Sequence, residues 1–189
     1  MDIIDQDLNI NTFEEIFNSE LRSSKKINEA VQVNNIIYLA INSQLYRSVN
    51  AGVNFALVSG FNQDIAAIEV SNSDSNVVYV STRFSFGKVY KSINQGNSFT
   101  NITANLPDLG KNTLASLPLS LDGVLFVGTS RGVYKYDDVS QQWSTFNNNL
   151  PNVSVGGLGI SATDNILTAG TYGRGIWQTS AFADPPTTD

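Results

Sequence analysis

Short runs of β-branched and aromatic residues alternate with clusters of Asn, Ser, Asp and Gly along most of the chain, and no stretch sustains a helical period. That pattern predicts short antiparallel strands joined by tight turns. The strands recur in a fixed order. An apolar run ending in small residues falls at Ile36–Ile41, Val77–Thr82, Val124–Thr129 and Ile166–Thr171. Each is followed by a strand that carries an aromatic at a recurring position, Tyr46, Tyr90, Tyr134 and Trp177 in turn. The steps between these aromatics are 44, 44 and 43 residues, which is the mark of a repeat protein.

A first strand precedes each pair, at Ala30–Val33, Ala67–Ser71, Ala115–Ser120 and Gly157–Ser161, and a fourth follows at Phe55–Val58, Phe99–Thr103 and Trp143–Phe146. Four strands in every ~43 residues predict an all-β fold, a β-propeller of about four four-stranded antiparallel blades. The expected blades are 25–61, 62–106, 107–150 and 151–182, the last with three strands. Residues 1–24 hold one more strand, Thr12–Phe17, which either ends a preceding blade of a larger ring or completes the last blade of a small closed one. Residues 183–189, with Pro185-Pro186-Thr187-Thr188, read as linker.

Between the third and fourth strands the chain repeats Ser-x-Asn-x-Gly-x-x-Phe, as Ser48, Asn50, Gly52 and Phe55, and again as Ser92, Asn94, Gly96 and Phe99. A degenerate third copy carries Asp138 and Trp143, with Tyr136 in place of Ser and Ser140 in place of Gly. The spacing is mechanical: an Asx side chain bonds backbone amides in its own turn, Gly supplies positive φ, and the aromatic folds back beneath the hairpin. At these residues the sequence resembles the Asp-box (BNR) repeat of sialidases, sortilin-type receptors, xyloglucanase-like glycoside hydrolases and photosystem assembly propellers. The resemblance covers nearly the whole chain, with Asn50 and Asn94 where the family has Asp. It implies a structural role for the boxes on the face opposite any active site. The closing Ala169-Gly170-Thr171-Tyr172-Gly173-Arg174-Gly175-Ile176-Trp177 is similar to the final blade of such propellers in secreted or surface proteins of Bacteroidetes-type bacteria, which implies an extracellular or cell-surface location.

Composition narrows the chemistry. The 189 residues contain no His and no Cys, which removes the commonest general base, the commonest zinc ligand and any disulfide framework. No metal site and no cofactor are expected. A net charge of −6 with 11 Lys and Arg spread singly offers no basic stripe for nucleic acid. No apolar run approaches the ~20 residues of a membrane span, and Met1-Asp2-Ile3-Ile4-Asp5 lacks the basic start of a signal peptide.

Function is therefore sought where the copies differ. The loops joining strands two and three share a face with the blade-to-blade loops, and they gather Arg83, Phe84, Phe86, Arg131, Tyr172 and Arg174. Flat aromatic surface and forked guanidinium donors suit a glycan or a protein ligand, or a neighbouring domain of the same polypeptide. Hairpin geometry alone accounts equally for Gly173-Arg174-Gly175, and blade capping for Phe84 and Phe86. The repeated Asn105-Leu106-Pro107-Asp108 and Asn149-Leu150-Pro151-Asn152 read as crevice plugs. Asp64 and Asp108 point to the arginine face and raise the alternative of an incomplete glycoside hydrolase. A protein-assembly propeller is the third reading, and a non-catalytic binding module is preferred over both.

Overall fold

The computed structural model describes residues 10–11, 27–117, 123–147 and 149–182, which contain strands, turns and loops but no helix. The strands fall into four sheets. Blade 1 comprises β2 (Ile27–Val33), β3 (Ile36–Ile41), β4 (Gln44–Ser48) and β5 (Phe55–Gly60), with β1 (Ile10–Asn11) paired to the outer side of β5. Blade 2 comprises β6 (Ile65–Val70), β7 (Val78–Thr82), β8 (Val89–Ser92) and β9 (Thr100–Asn101). Blade 3 comprises β10 (Lys111–Ser116), β11 (Leu125–Thr129), β12 (Gly132–Asp137) and β13 (Gln142–Thr145). Blade 4 has three strands, β14 (Val155–Ile160), β15 (Ile166–Thr171) and β16 (Gly175–Ser180). All pairings are antiparallel, and all but that of β1 with β5 join sequence neighbours. The fold is an all-β propeller. Thr12–Phe17 lies outside the described residues.

The blades stack face to face, with inner strands β2, β6, β10 and β14 meeting in that order. Side chains alternate across each sheet, so every second strand feeds two interfaces. Tyr38 packs forward with Val78 and Val80 of blade 2, and Tyr79 packs forward with Leu125 and Val127 of blade 3. Phe126 packs forward with Leu167 and Ala169 of blade 4. The matching position in blade 4, opposite Gly159, is Thr168. The last sheet thus presents no aromatic on its outward face, where Thr168 and the exposed Ile176 stand. The recurrent Tyr46, Tyr90, Tyr134 and Trp177 pair with Leu39, Val80, Val127 and Ala169, the residues that look backward.

Each inner strand breaks register after its first residue, between Ile27 and Glu29, Ile65 and Ala67, Lys111 and Thr113, and Val155 and Gly157. The sequence pattern places these strands two to four residues too late, because a bulge interrupts the period-two alternation on which that reading depends. The bulges lie at the loop-bearing end of the blades. Asn112, in one of them, reaches blade 4 and donates from Nδ2 to the Val155 carbonyl at 2.9 Å.

Candidate functional site

Two faces with different chemistry follow from the connections. On one face, Ser48 Oγ accepts from the amides of Asn50 (3.3 Å) and Gly52 (2.9 Å) and donates to Asn50 Oδ1, which in turn accepts from the Asn54 amide at 3.0 Å. Ser92 and Asn94 repeat the arrangement on the amides of Gly96 (2.8 Å) and Ser98 (3.0 Å). Gly52 and Gly96 take φ of +89° and +83°, each preceded by a left-handed residue, Ala51 or Gln95. Phe55 is buried, and Phe99 packs on Phe61 with ring centroids 5.3 Å apart. In the degenerate copy the turn is capped by Asp137, whose Oδ1 accepts from the Val139 amide at 2.8 Å, while Asp138 pairs with Lys91 of blade 2. The neighbouring Trp143 donates from Nε1 to the Ile102 carbonyl at 2.8 Å. The polar atoms of these turns are spent internally.

The opposite face carries the loops between second and third strands. Each hangs on the segment entering its own blade: Arg83 N donates to Asp64 O, Ser130 N to Gly110 O and Tyr172 N to Ser154 O, at 2.8–2.9 Å. Phe84, Phe86 and Tyr172 are 68%, 69% and 86% exposed. Arg83, Arg131 and Arg174 are exposed too. Among the described residues their side chains form no ion pair; Arg83 makes one long contact, Nε to the Ile65 carbonyl at 3.4 Å. Asp64 and Asp108 share this face, as does Lys88. The other face holds Asp74, Asp137, Asp138 and Asp164, with Arg47 and Lys91 engaged there by Gln95 O and by Asp138. Cations without an ion pair among the described residues are found on the loop face, interspersed with Asp64 and Asp108.

The blade 2 loop is the most elaborate. Thr82 Oγ1 accepts from the Lys88 amide at 2.8 Å, and Gly87 N donates to Phe84 O at 3.0 Å. A Cβ on Gly87 would stand 2.1 Å from the Thr82 carbonyl, so only Gly fits. Phe84 is held at φ +69°, a conformation that costs a bulky side chain about 1–3 kcal/mol.

Beneath this loop lies Lys111, which is 1% exposed. Its Nζ donates to the carbonyls of Pro107 (3.2 Å) and Ser85 (3.4 Å), and among the described residues no carboxylate is within ion-pair distance. Burial pushes the Lys111 pKa down, against an opposing pull from Asp108. Arg83, Phe84 and Lys111 line one open pocket of about 280 Å³ with Ala66, Gly110 and Asn112. Arg131, Tyr172 and Arg174 sit on the corresponding loops of blades 3 and 4, outside that pocket. Lys111 escaped the sequence reading, although aligned repeats carry the signal: its register position is held by Ile27, Ile65 and Val155 in the other blades.

Other departures are structural. Glu69 Oε1 accepts from the amide (2.8 Å) and hydroxyl (2.7 Å) of Ser116, tying blade 2 to blade 3, and burial pushes its pKa up. Leu106 and Leu150 enter the crevices between blades 2 and 3 and between blades 3 and 4. Among the described residues no group of three or more acidic, His or Cys side chains is placed to hold a metal ion, and no helix is long and apolar enough to cross a membrane.

The architecture is shared with propeller structures already solved. A GH74 xyloglucanase from Xanthomonas campestris superposes with a TM-score of 0.66 at 15% identity, over 86% of this chain and 32% of that one. The extracellular domain of a one-component system from Bacteroides thetaiotaomicron gives 0.61 at 16% identity, over 81% and 21%. YCF48 bound to a D1 peptide gives 0.56 at 13% identity, over 83% and 51%. The chain therefore spans between about a fifth and a half of these relatives, and identities at this level establish the fold alone. No protein-family model matches the sequence, and no curated protein matches it either.

Proposed function

We propose that the chain is a non-catalytic propeller module of a larger extracellular or cell-surface bacterial protein, with boxes of the Asp-box type as its scaffold. It binds a glycan or a partner protein through the face formed by the inter-blade loops and the loops between second and third strands. One observation carries the reading: exposed Phe84, Phe86 and Tyr172 share a face with Arg83, Arg131 and Arg174, none of which is neutralised by an ion pair among the described residues. Guanidinium groups without an ion pair keep donors for a ligand, Arg83 spending only its Nε on the Ile65 carbonyl, and the aromatic rings supply flat apolar contact. The extracellular placement of one solved neighbour supports the location, and the peptide bound to another supports a recognition role for the module.

The test is a glycan array and a set of candidate peptides probed with the wild type and with an Arg131→Ala, Arg174→Ala double variant of unchanged thermal stability. At least a tenfold loss of affinity is expected. Unchanged binding by the double variant overturns the assignment of those residues. Hydrolysis of an array glycan that disappears in an Asp64→Asn, Asp108→Asn variant would favour the alternative, part of a glycoside hydrolase.

A further inference from the structure

We infer that the pocket between blades 2 and 3 is a subsite for a carboxylate borne on a rigid sugar ring, that is, for a uronic acid residue of an acidic polysaccharide. This rests on the glycan-binding reading above and names its anchor.

Three independent features converge there. First, Lys111 withdraws an ammonium from water onto two long carbonyl contacts, at a register position where Ile27, Ile65 and Val155 serve the other blades without a charge. The two carbonyls hold the ammonium but leave its charge uncompensated, which is unfavourable until an anion approaches. Second, Arg83 lines the same pocket at its rim with no ion pair among the described residues, although Glu29 of blade 1 feels its charge. Third, the loop is built to hold Phe84 outward: its φ of +69° is adopted by no other aromatic among the described residues, and Gly87 is sterically required for the loop to close. Backbone strain that exposes an apolar ring has no folding benefit, and strain of this kind is characteristic of ligand sites.

The combination selects the chemistry. At about 280 Å³ the pocket falls just below the ~300 Å³ at which small-molecule sites usually begin, which fits a single ring rather than a larger ligand. A pyranose uronate presents a carboxylate and a flat C–H face in fixed relation, matching the exposed Arg83 guanidinium, the buried positive charge of Lys111 beneath it and the phenyl ring beside them. An acidic peptide side chain has the charge but neither the flat face nor the rigidity. Lys88, Arg131 and Arg174 lie on the same face, interspersed with Asp64 and Asp108, and offer further cations to acidic residues of a polysaccharide.

Isothermal titration with tetramers of galacturonate, glucuronate and mannuronate tests this, with the methyl ester of each tetramer as uncharged control and an oligo-aspartate peptide as charged control. The wild type is expected to bind at least one uronate tetramer tenfold or more tightly than its ester, with affinity falling as salt rises. Arg83→Gln and Phe84→Gly should each lose at least tenfold, with unfolding temperatures no lower than wild type, since neither side chain supports the core and Gly relieves the Phe84 backbone. Equal binding of acid and ester, wild-type affinity in both variants, silence toward all three uronates, or binding of oligo-aspartate alone would each overturn the inference. A neutral glycan or a protein bound through Arg131 and Arg174 without preference for uronates would sink the subsite and leave the broader function standing. Uronate binding lost in Arg83→Gln but untouched in the Arg131, Arg174 double variant would keep the subsite and overturn the assignment of Arg131 and Arg174.

Discussion

Trp143 is the side chain whose removal tests most directly how the blades are joined. It is 5% exposed, its ring lies 5.0 Å from that of Tyr136, and its indole N–H satisfies the Ile102 carbonyl of blade 2. Its own amide and carbonyl are bridged by Asn105 of the preceding blade, at 2.7 and 2.9 Å. Trp143→Ala creates a cavity between blades 2 and 3 and should cost about 3–5 kcal/mol. Trp143→Phe keeps most of the buried area but leaves the Ile102 carbonyl without its donor, for about 1–3 kcal/mol. At about 2–4 °C per kcal/mol for a chain of this size, the alanine variant should melt about 6–20 °C lower. Both variants retain Trp177 as the sole tryptophan, so urea unfolding can be followed by fluorescence in blade 4 and by circular dichroism over the whole chain. Because each repeat contacts only its neighbours, the two signals should separate in Trp143→Ala as the blade 2–3 joint weakens. Should Trp143→Ala cost no more than Val139→Ala, at a residue 84% exposed, inter-blade packing of the box aromatic is not what holds the array together.

Two further outcomes follow from other contacts. Ser92→Ala removes the hydroxyl that serves the amides of Asn94 and Gly96, one of them buried, and should lower stability by about 1–3 kcal/mol in urea titration, whereas Ser98→Ala at the exposed rim should be near neutral. Glu69 has a carboxyl pKa raised by burial above that of the unfolded chain, so the folded state holds its proton to higher pH; its contribution to stability is complete below the usual carboxylate range and is lost as pH rises through the raised value. Glu69→Gln, which keeps an oxygen acceptor for Ser116, should therefore flatten the fall in melting temperature between acid and neutral pH, and an unchanged pH profile would mean that the carboxylate is not desolvated.

The repeat, the strand order and the turn chemistry were legible in the sequence because they are local properties. Strand patterning has a period of two, the box needs Ser, Asn and Gly within five positions, and an aromatic every 43 or 44 residues announces copies of one unit. The exposed loop residues Arg83, Phe84, Arg131 and Tyr172 were equally legible, because departures between copies stand out once the copies are aligned. Lys111 was not, since a single lysine at the head of a strand looks like any surface charge until the bulged register sets it beside Ile27, Ile65 and Val155. Nor did Asp137 and Asp138 reveal which of them caps the turn, a choice made by Lys91 on the adjoining blade.

What the sequence determined by itself was the blade, because hydrogen bonding within a hairpin depends on residues a few positions apart. What only the tertiary structure decided was the meeting of separate blades: the ammonium of Lys111 beneath the strained Phe84 loop, the Glu69 carboxylate on Ser116, and an outward face on blade 4 that offers Thr168 where the other blades offer Tyr38, Tyr79 and Phe126. Those pairings join residues about 25 to 50 positions apart, and burial, not local propensity, selects them.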